Sequence, residues 1–186
     1  PLLIFMLMVL VVQHLFLVGS ETNSDRLPKV VFTPIYLFVP TSLAISIAYL
    51  NGEWEPKFLF GLFLLLWAND TFAYLTGISI GKHKLIPRLS PKKSVEGFVG
   101  GILGALLVGY LLSIFWDVLT MPQWMIFAAI VAVSGTIGDL FESSLKRAGN
   151  IKDSGNLIPG HGGILDRLDS FLIAVPFVYF YLYFFT

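Results

Sequence analysis

Residues 143–169 read SSLKRAGNIKDSGNLIPGHGGILDRLD, which sets Lys146, Arg147, Lys152, Asp153, His161, Asp166, Arg167 and Asp169 between two apolar segments. Segments greasy enough to span a bilayer rarely carry so many ionisable groups at their ends unless a charged substrate or metal sits there. Gly160, Gly162 and Gly163 surround His161, so the backbone can turn sharply or come close to a ligand. Basic pairs beside Asp166 and Asp169, one helical step apart, suit a nucleotide's phosphates and their metal ion. Plainer roles exist for the same residues. His161 can be a turn residue bonded to backbone carbonyls, and an acid at a helix start can simply meet the positive end of the dipole. Of the two acids, Asp169 is the expected cap.

Three further groups could do chemistry. No proline lies between Trp124 and Ile158, so a helix can run unbroken through Lys146, placing Asp139, Glu142, Ser143 and Lys146 on one face. Asp139 sits deepest, behind Ser134, Gly135 and Gly138, as a metal-binding acid would. Glu142 and Lys146 have the spacing of an ordinary ion pair at a solvated helix end. Asn69 and Asp70 fall inside an apolar run between Trp67 and Phe72. A carboxylate there costs about 2.5–3.5 kcal/mol on insertion scales, so it faces a polar cavity or an interhelical hydrogen bond. Lys92 and Lys93 follow Ser90-Pro91 and precede Ser94 and a helix starting near Glu96. Free N–H groups at such a helix entrance bind anions, and the two ammoniums would converge on the same phosphate. Lys82, Lys84 and Arg88 read instead as charges that orient the helix or touch lipid headgroups. His14 and His83 have no such company and read as structural.

The elements that must hold these groups are membrane helices. Hydrophobic residues make up 56% and charged residues 13% of 186, against about 25% charged in soluble domains; mean hydropathy is +0.80. With twelve basic and twelve acidic residues the net charge is zero and names no partner. The absence of cysteine excludes disulfides, thiolate catalysis and zinc–sulfur sites. Six segments approach the roughly 20 apolar residues a span requires: about 1–18, 30–50, 58–76, 97–116, 124–145 and 166–185. The reading is therefore an all-α polytopic integral membrane protein of about six transmembrane helices. Its organisation is two N-terminal hydrophobic helices (1–57), then a catalytic region (58–186) with cytoplasmic loops at 77–96 and 146–165. Pro1 opens inside an apolar run, which reads as a chain lacking its N-terminal part; that run is too long and too poorly flanked for a secretory signal. Eleven of the twelve basic residues fall in alternate loops, leaving Lys57 on the other side. The positive-inside rule makes the basic side cytoplasmic. Gly97, Gly101, Ala105 and Gly109 recur every fourth residue, a face that lets another helix approach closely, from this chain or from a second copy in a homodimer.

The run from Ser143 through Asp169 resembles the signature of the phosphatidate cytidylyltransferases, or CDP-diacylglycerol synthases. The matching positions are Ser143, Leu145, Lys146, Arg147, Lys152, Asp153, Gly155, Ile158, Pro159, His161, Gly162, Gly163, Ile164, Asp166, Arg167, Leu168 and Asp169. Asn69-Asp70-Thr71-Phe72-Ala73-Tyr74 and Ser90-Pro91-Lys92-Lys93-Ser94-Val95-Glu96-Gly97 are similar to that family too, so the resemblance covers roughly 65–175. It implies a nucleotidyltransferase that converts CTP and phosphatidate into CDP-diacylglycerol and pyrophosphate in phospholipid synthesis. It implies Mg²⁺ held by Asp139 and Asp166, with Asp70 and Asp169 as further candidates and room for a second cation. Lys146, Arg147, His161 and Arg167 complete the expected catalytic set. Asn69, Asp70, Ser90, Lys92, Lys93, Ser94, Lys152, Asp153, Gly162 and Gly163 are the expected contacts to CTP and its phosphates. The implied partners are CTP, phosphatidate and the bilayer, with no nucleic acid. Spacing by itself supports a metal- and phosphate-handling site at the cytoplasmic interface. A CTP-dependent kinase of polyprenol or another lipid alcohol, and an ion-coupled transporter using Asp70 and Asp139, use similar parts.

Overall fold

A computed structural model describes residues 26–50, 52–148, 163 and 165–186, with side chains from residue 35 onward. In chain order the elements are α1 (Arg26–Ala48), α2 (Lys57–Ile80), β1 (Lys84–Ile86), β2 (Ser90–Ser94), α3 (Val95–Phe115), α4 (Met121–Ala148) and α5 (Leu165–Phe185). Four of them, α2 to α5, are long and apolar enough to cross a membrane. Even the 21-residue α3 reaches roughly 31 Å, the thickness of a hydrocarbon core. In α1 the described side chains begin at residue 35, and the stretch Ile35–Ala48 is apolar. The expected span at 1–18 lies outside the described residues.

Large apolar side chains point outward along these helices, including Phe60, Trp67 and Ile78 on α2 and Leu103, Leu107 and Phe115 on α3. Water would not tolerate a patch of that extent, but lipid does. Helices satisfy their backbone polar groups internally, as a bilayer demands, with one such bond lost at Pro176 inside α5. Inside, Leu62 and Leu65 of α2 pack with Trp124, Phe127 and Phe141 of α4 and Leu172 and Val175 of α5. This is an integral membrane protein whose core is built from helix faces.

The glycine face of α3 is covered from within the chain. A Cβ at Gly97 would lie 2.8 Å from the Ala73 carbonyl, and one at Gly101 would lie 2.7 Å from Asn69 Oδ1. Thr76 and Phe72 fill the space over Gly100 and Gly104, and farther along Gly109 receives Ala128 of α4. The partner that the glycine spacing left open is therefore α2, with α4 beyond it.

The segment between α2 and α3 departs from the expected loop at 77–96. Helix α2 runs on to Ile80, and β1 and β2 form a small antiparallel hairpin pairing Lys84 with Ser94 and Ile86 with Ser90. Ser94 caps α3 by accepting the Gly97 N–H at 3.1 Å, the usual role of a serine before a helix. Glu96, in the first turn, accepts the backbone N–H groups of Lys82 (3.1 Å) and His83 (3.2 Å), and its other oxygen meets His83 Nδ1 at 2.6 Å. The Val95 N–H returns to the His83 carbonyl at 2.8 Å. These bonds close both ends of the hairpin onto the start of α3. His83 is thus structural.

Candidate active site

A cavity of about 520 Å³ opens where α2, the hairpin, α3 and α4 meet. Asn69, Asp70 and Tyr74 of α2 line one wall, Lys84, Lys92 and Lys93 of the hairpin another, and Asp139 and Thr136 of α4 the inner end. Its chemistry is a ring of ammoniums facing carboxylates at the end of an apolar bundle.

The carboxylates converge because of one close crossing. Gly138 lets α4 and α5 approach until a Cβ at that position would lie 2.6 Å from the Asp169 carbonyl and 2.9 Å from Ser170 Cα. Asp139, the next residue, thereby comes within electrostatic range of Asp169, and Asp70 of α2 joins them. Lys93 reaches in from β2 and pairs with Asp139 Oδ2. Ser143 Oγ, one turn on, donates to Asp139 Oδ1 at 3.5 Å. Asn69 is only 2% exposed. Its amide donates to Asp70 Oδ1 at 3.4 Å, while its own Oδ1 has no hydrogen-bond partner among the described residues.

A second cluster lies beside the first. Lys146 Nζ sits 2.6 Å from Glu142 Oε2 and 2.8 Å from Asp166 Oδ1, joining the end of α4 to the start of α5. Asp166 Oδ2 accepts the Gly163 N–H at 2.8 Å. The Glu142–Lys146 pair forms as the spacing suggested, but not at a solvated end: the Glu142 side chain is 1% exposed and that of Lys146 18%. The Lys146 ammonium supplies the neighbouring positive charge, while neither Glu142 oxygen has a further hydrogen-bond partner among the described residues.

The two acids at the start of α5 exchange the roles expected of them at the helix end. Asp166 is the first-turn acid and reaches back to a backbone N–H ahead of the helix. Asp169 lies beyond that turn, bonds its neighbour's Ser170 N–H at 2.6 Å, and faces Asp139. Periodicity puts both acids near one face; the Gly138 crossing brings Asp169 toward Asp139, while Asp166 meets Lys146 farther along α4.

Among the expected phosphate contacts, Lys92 and Lys93 line the cavity, whereas Ser90 does not. Ser94 lines it too, with its oxygen engaged in capping. Lys84, first read as an orienting charge, lines the cavity with them; its strand pairing with Ser94 brings it there. No signal short of the hairpin would have revealed it. Arg147 and Arg167 are exposed at the ends of α4 and α5. Lys152, Asp153, His161 and Gly162 lie outside the described residues.

Among the described residues no three or more acids or histidines form a ready-made metal cage. Mg²⁺ does not need one, because it usually takes one or two carboxylates together with waters and substrate phosphates. Asp139, Asp70 and Asp169 share a site with Lys93 as their cationic neighbour. That surplus of hard oxygen donors fits a divalent cation.

The profile of the cytidylyltransferase family matches residues 1–185 of this chain. The chain is 40% identical over 181 residues to a phosphatidate cytidylyltransferase of Bacillus subtilis, which covers 95% of this chain and 66% of that protein. Proteins of the same name from Staphylococcus epidermidis and Staphylococcus saprophyticus are 47% identical over 122 residues and 49% over 116. Those matches cover 64% and 61% of this chain but only 46% and 44% of the relatives. The chain thus spans about two thirds of the Bacillus protein and under half of the staphylococcal ones.

Proposed function

The chain belongs to the cytidylyltransferase family, and from that premise we propose that it transfers the cytidylyl group of CTP to phosphatidate, releasing pyrophosphate. The observation that carries this reading is the meeting of Lys84, Lys92 and Lys93 with Asp70 and Asp139 in one cavity at the end of the bundle. An oxygen of the lipid phosphate attacks the α-phosphorus of CTP; the new P–O bond forms as the α–β bridge breaks and pyrophosphate leaves with the electron pair. The attacking phosphate is already an anion near neutral pH, so no side chain need act as nucleophile. Positioning and charge neutralisation carry the catalysis.

Asp139, with Asp166 and the neighbouring Asp70 and Asp169, would hold Mg²⁺, whose chemistry is to polarise the α-phosphate and neutralise the departing charge. Lys92 and Lys93, fixed at the capped start of α3, would hold the triphosphate together with Lys84. Lys146, Arg147, Lys152 and Arg167 would neutralise phosphates, with His161 in the catalytic set and Gly162 and Gly163 contacting CTP. The acyl chains stay among the outward apolar side chains of the helices while the headgroup enters.

Purified protein incubated with phosphatidate and CTP labelled in the base tests the reading. Labelled lipid and stoichiometric pyrophosphate are expected. Transfer of the γ-phosphate with free CDP as the product would replace it with a lipid kinase.

The same reading puts the cavity on the cytoplasmic side. Lys82 and Thr120 are both exposed and lie beyond opposite ends of α3. Because the chain has no cysteine, single cysteines at these positions can be labelled unambiguously. The Lys82 cysteine is expected to react with an impermeant thiol reagent in inside-out vesicles and the Thr120 cysteine in right-side-out vesicles. The reverse pattern would put the site away from CTP.

A further inference from the structure

Lys93 occupies an unusual position for a phosphate-binding lysine. Its ammonium is on Asp139, and its charge also acts on Asp70 and Asp169. One cation therefore sits among three carboxylates from α2, α4 and α5, where a divalent ion would draw on the same oxygens. The backbone that carries it cannot drift far. Lys93 immediately precedes the Ser94 cap, and Glu96 ties the other end of the hairpin down through Lys82 and His83. The four-carbon stem of lysine is the mobile part, with three donors that any anion can satisfy. The cavity that would hold phosphates lies along that stem, with Lys84 and Lys92 on its wall.

We propose that Lys93 competes with the divalent cation for Asp139, so that metal gains full access only when a phosphate in the cavity draws the ammonium away. The exchange keeps a cation on Asp139 at every stage. Without phosphate, Lys93 offsets the acids; with it, the metal takes the carboxylate and Lys93 takes the phosphate. Metal and nucleotide then promote each other's binding, a coupling that works equally in both directions. The site avoids holding a metal ion tightly in a form that lacks substrate. This inference rests on the reading of the cavity as a nucleotide and metal site, and adds that Lys93 is a positioning residue linking the two.

The test is Mn²⁺ binding to the purified protein without nucleotide, followed by the electron paramagnetic resonance signal of free Mn²⁺. Lys93→Met is expected to bind Mn²⁺ about tenfold more tightly than wild type, within the usual range of coupling between sites. Adding Asp139→Asn to that variant should erase the gain. Lys93→Arg, which keeps the charge, should stay near wild type. Lys92→Met removes an adjacent charge from the same cavity and reports any general electrostatic effect; less than about a twofold change is expected, since its field is felt through solvent. Thermal unfolding gives a second readout, with Mn²⁺ raising the Tm of Lys93→Met more than that of wild type. Equal affinities in wild type and Lys93→Met, or equal gains from Lys92→Met and Lys93→Met, overturn the inference. If wild type still attaches cytidine to phosphatidate, the proposed reaction survives that result; if it does not, both fall.

Discussion

Replacing Asp139 with Asn is expected to lower turnover about 10²-fold or more while leaving the fold intact, as loss of a transition-state charge clamp does. The side chain keeps its size and can still accept from Ser143, so packing at the Gly138 crossing is undisturbed. What disappears is the negative charge shared with Asp70 and Asp169. The same change at Asp166 and Asp169 then tells which acid works with Asp139. Asp166 is held by Lys146 and by the Gly163 N–H, whereas Asp169 lies within electrostatic range of Asp139. A loss at Asp166→Asn comparable to that at Asp139→Asn identifies Asp166 as a metal ligand that exchanges its lysine for the ion. Near-normal turnover in Asp166→Asn at saturating Mg²⁺, with a large loss in Asp169→Asn, transfers that role to Asp169. Retained turnover in Asp139→Asn removes the metal assignment altogether.

The largest stability effect is expected at Lys146. Its ammonium lies against a Glu142 carboxylate that is almost completely buried, and Lys146→Met strands that charge. Breaking a buried pair from one side costs about 3–5 kcal/mol. Removing both charges, in Lys146→Met with Glu142→Gln, should cost clearly less, because the only ion then deprived of its lysine is Asp166, which keeps the Gly163 N–H. Chemical denaturation in mixed micelles measures the difference. A single variant as stable as the double variant would mean that the pair is solvated after all, despite its burial.

The helices were legible because their signal is local. Length and apolarity mark α2 to α5, and the proline-free stretch after Trp124 predicts that α4 carries Asp139, Glu142 and Lys146 on one face, as it does. The hairpin was not legible. Its strands are three and five residues long, too short for an alternating pattern, and Pro91 argues against a strand. Its closure depends on Glu96, which bonds residues thirteen and fourteen positions away. The place of Lys84 on the cavity wall was hidden for that reason.

By itself the sequence determined the membrane class, the helix content, the charges gathered at the ends of the spans and the motifs that match one family, because each rests on residue type and short-range spacing. Only the tertiary structure decided which faces meet. Helices apolar on every side carry little amphipathic signal to orient them, so contacts depend on where backbones can approach. Gly138 draws α5 against α4 and sets Asp169 beside Asp139, while the α3 glycines admit α2 and bring Asp70 and Asn69 to the cavity. The pairing of Lys93 with Asp139 follows from both approaches together, across 46 positions of chain that no local pattern connects.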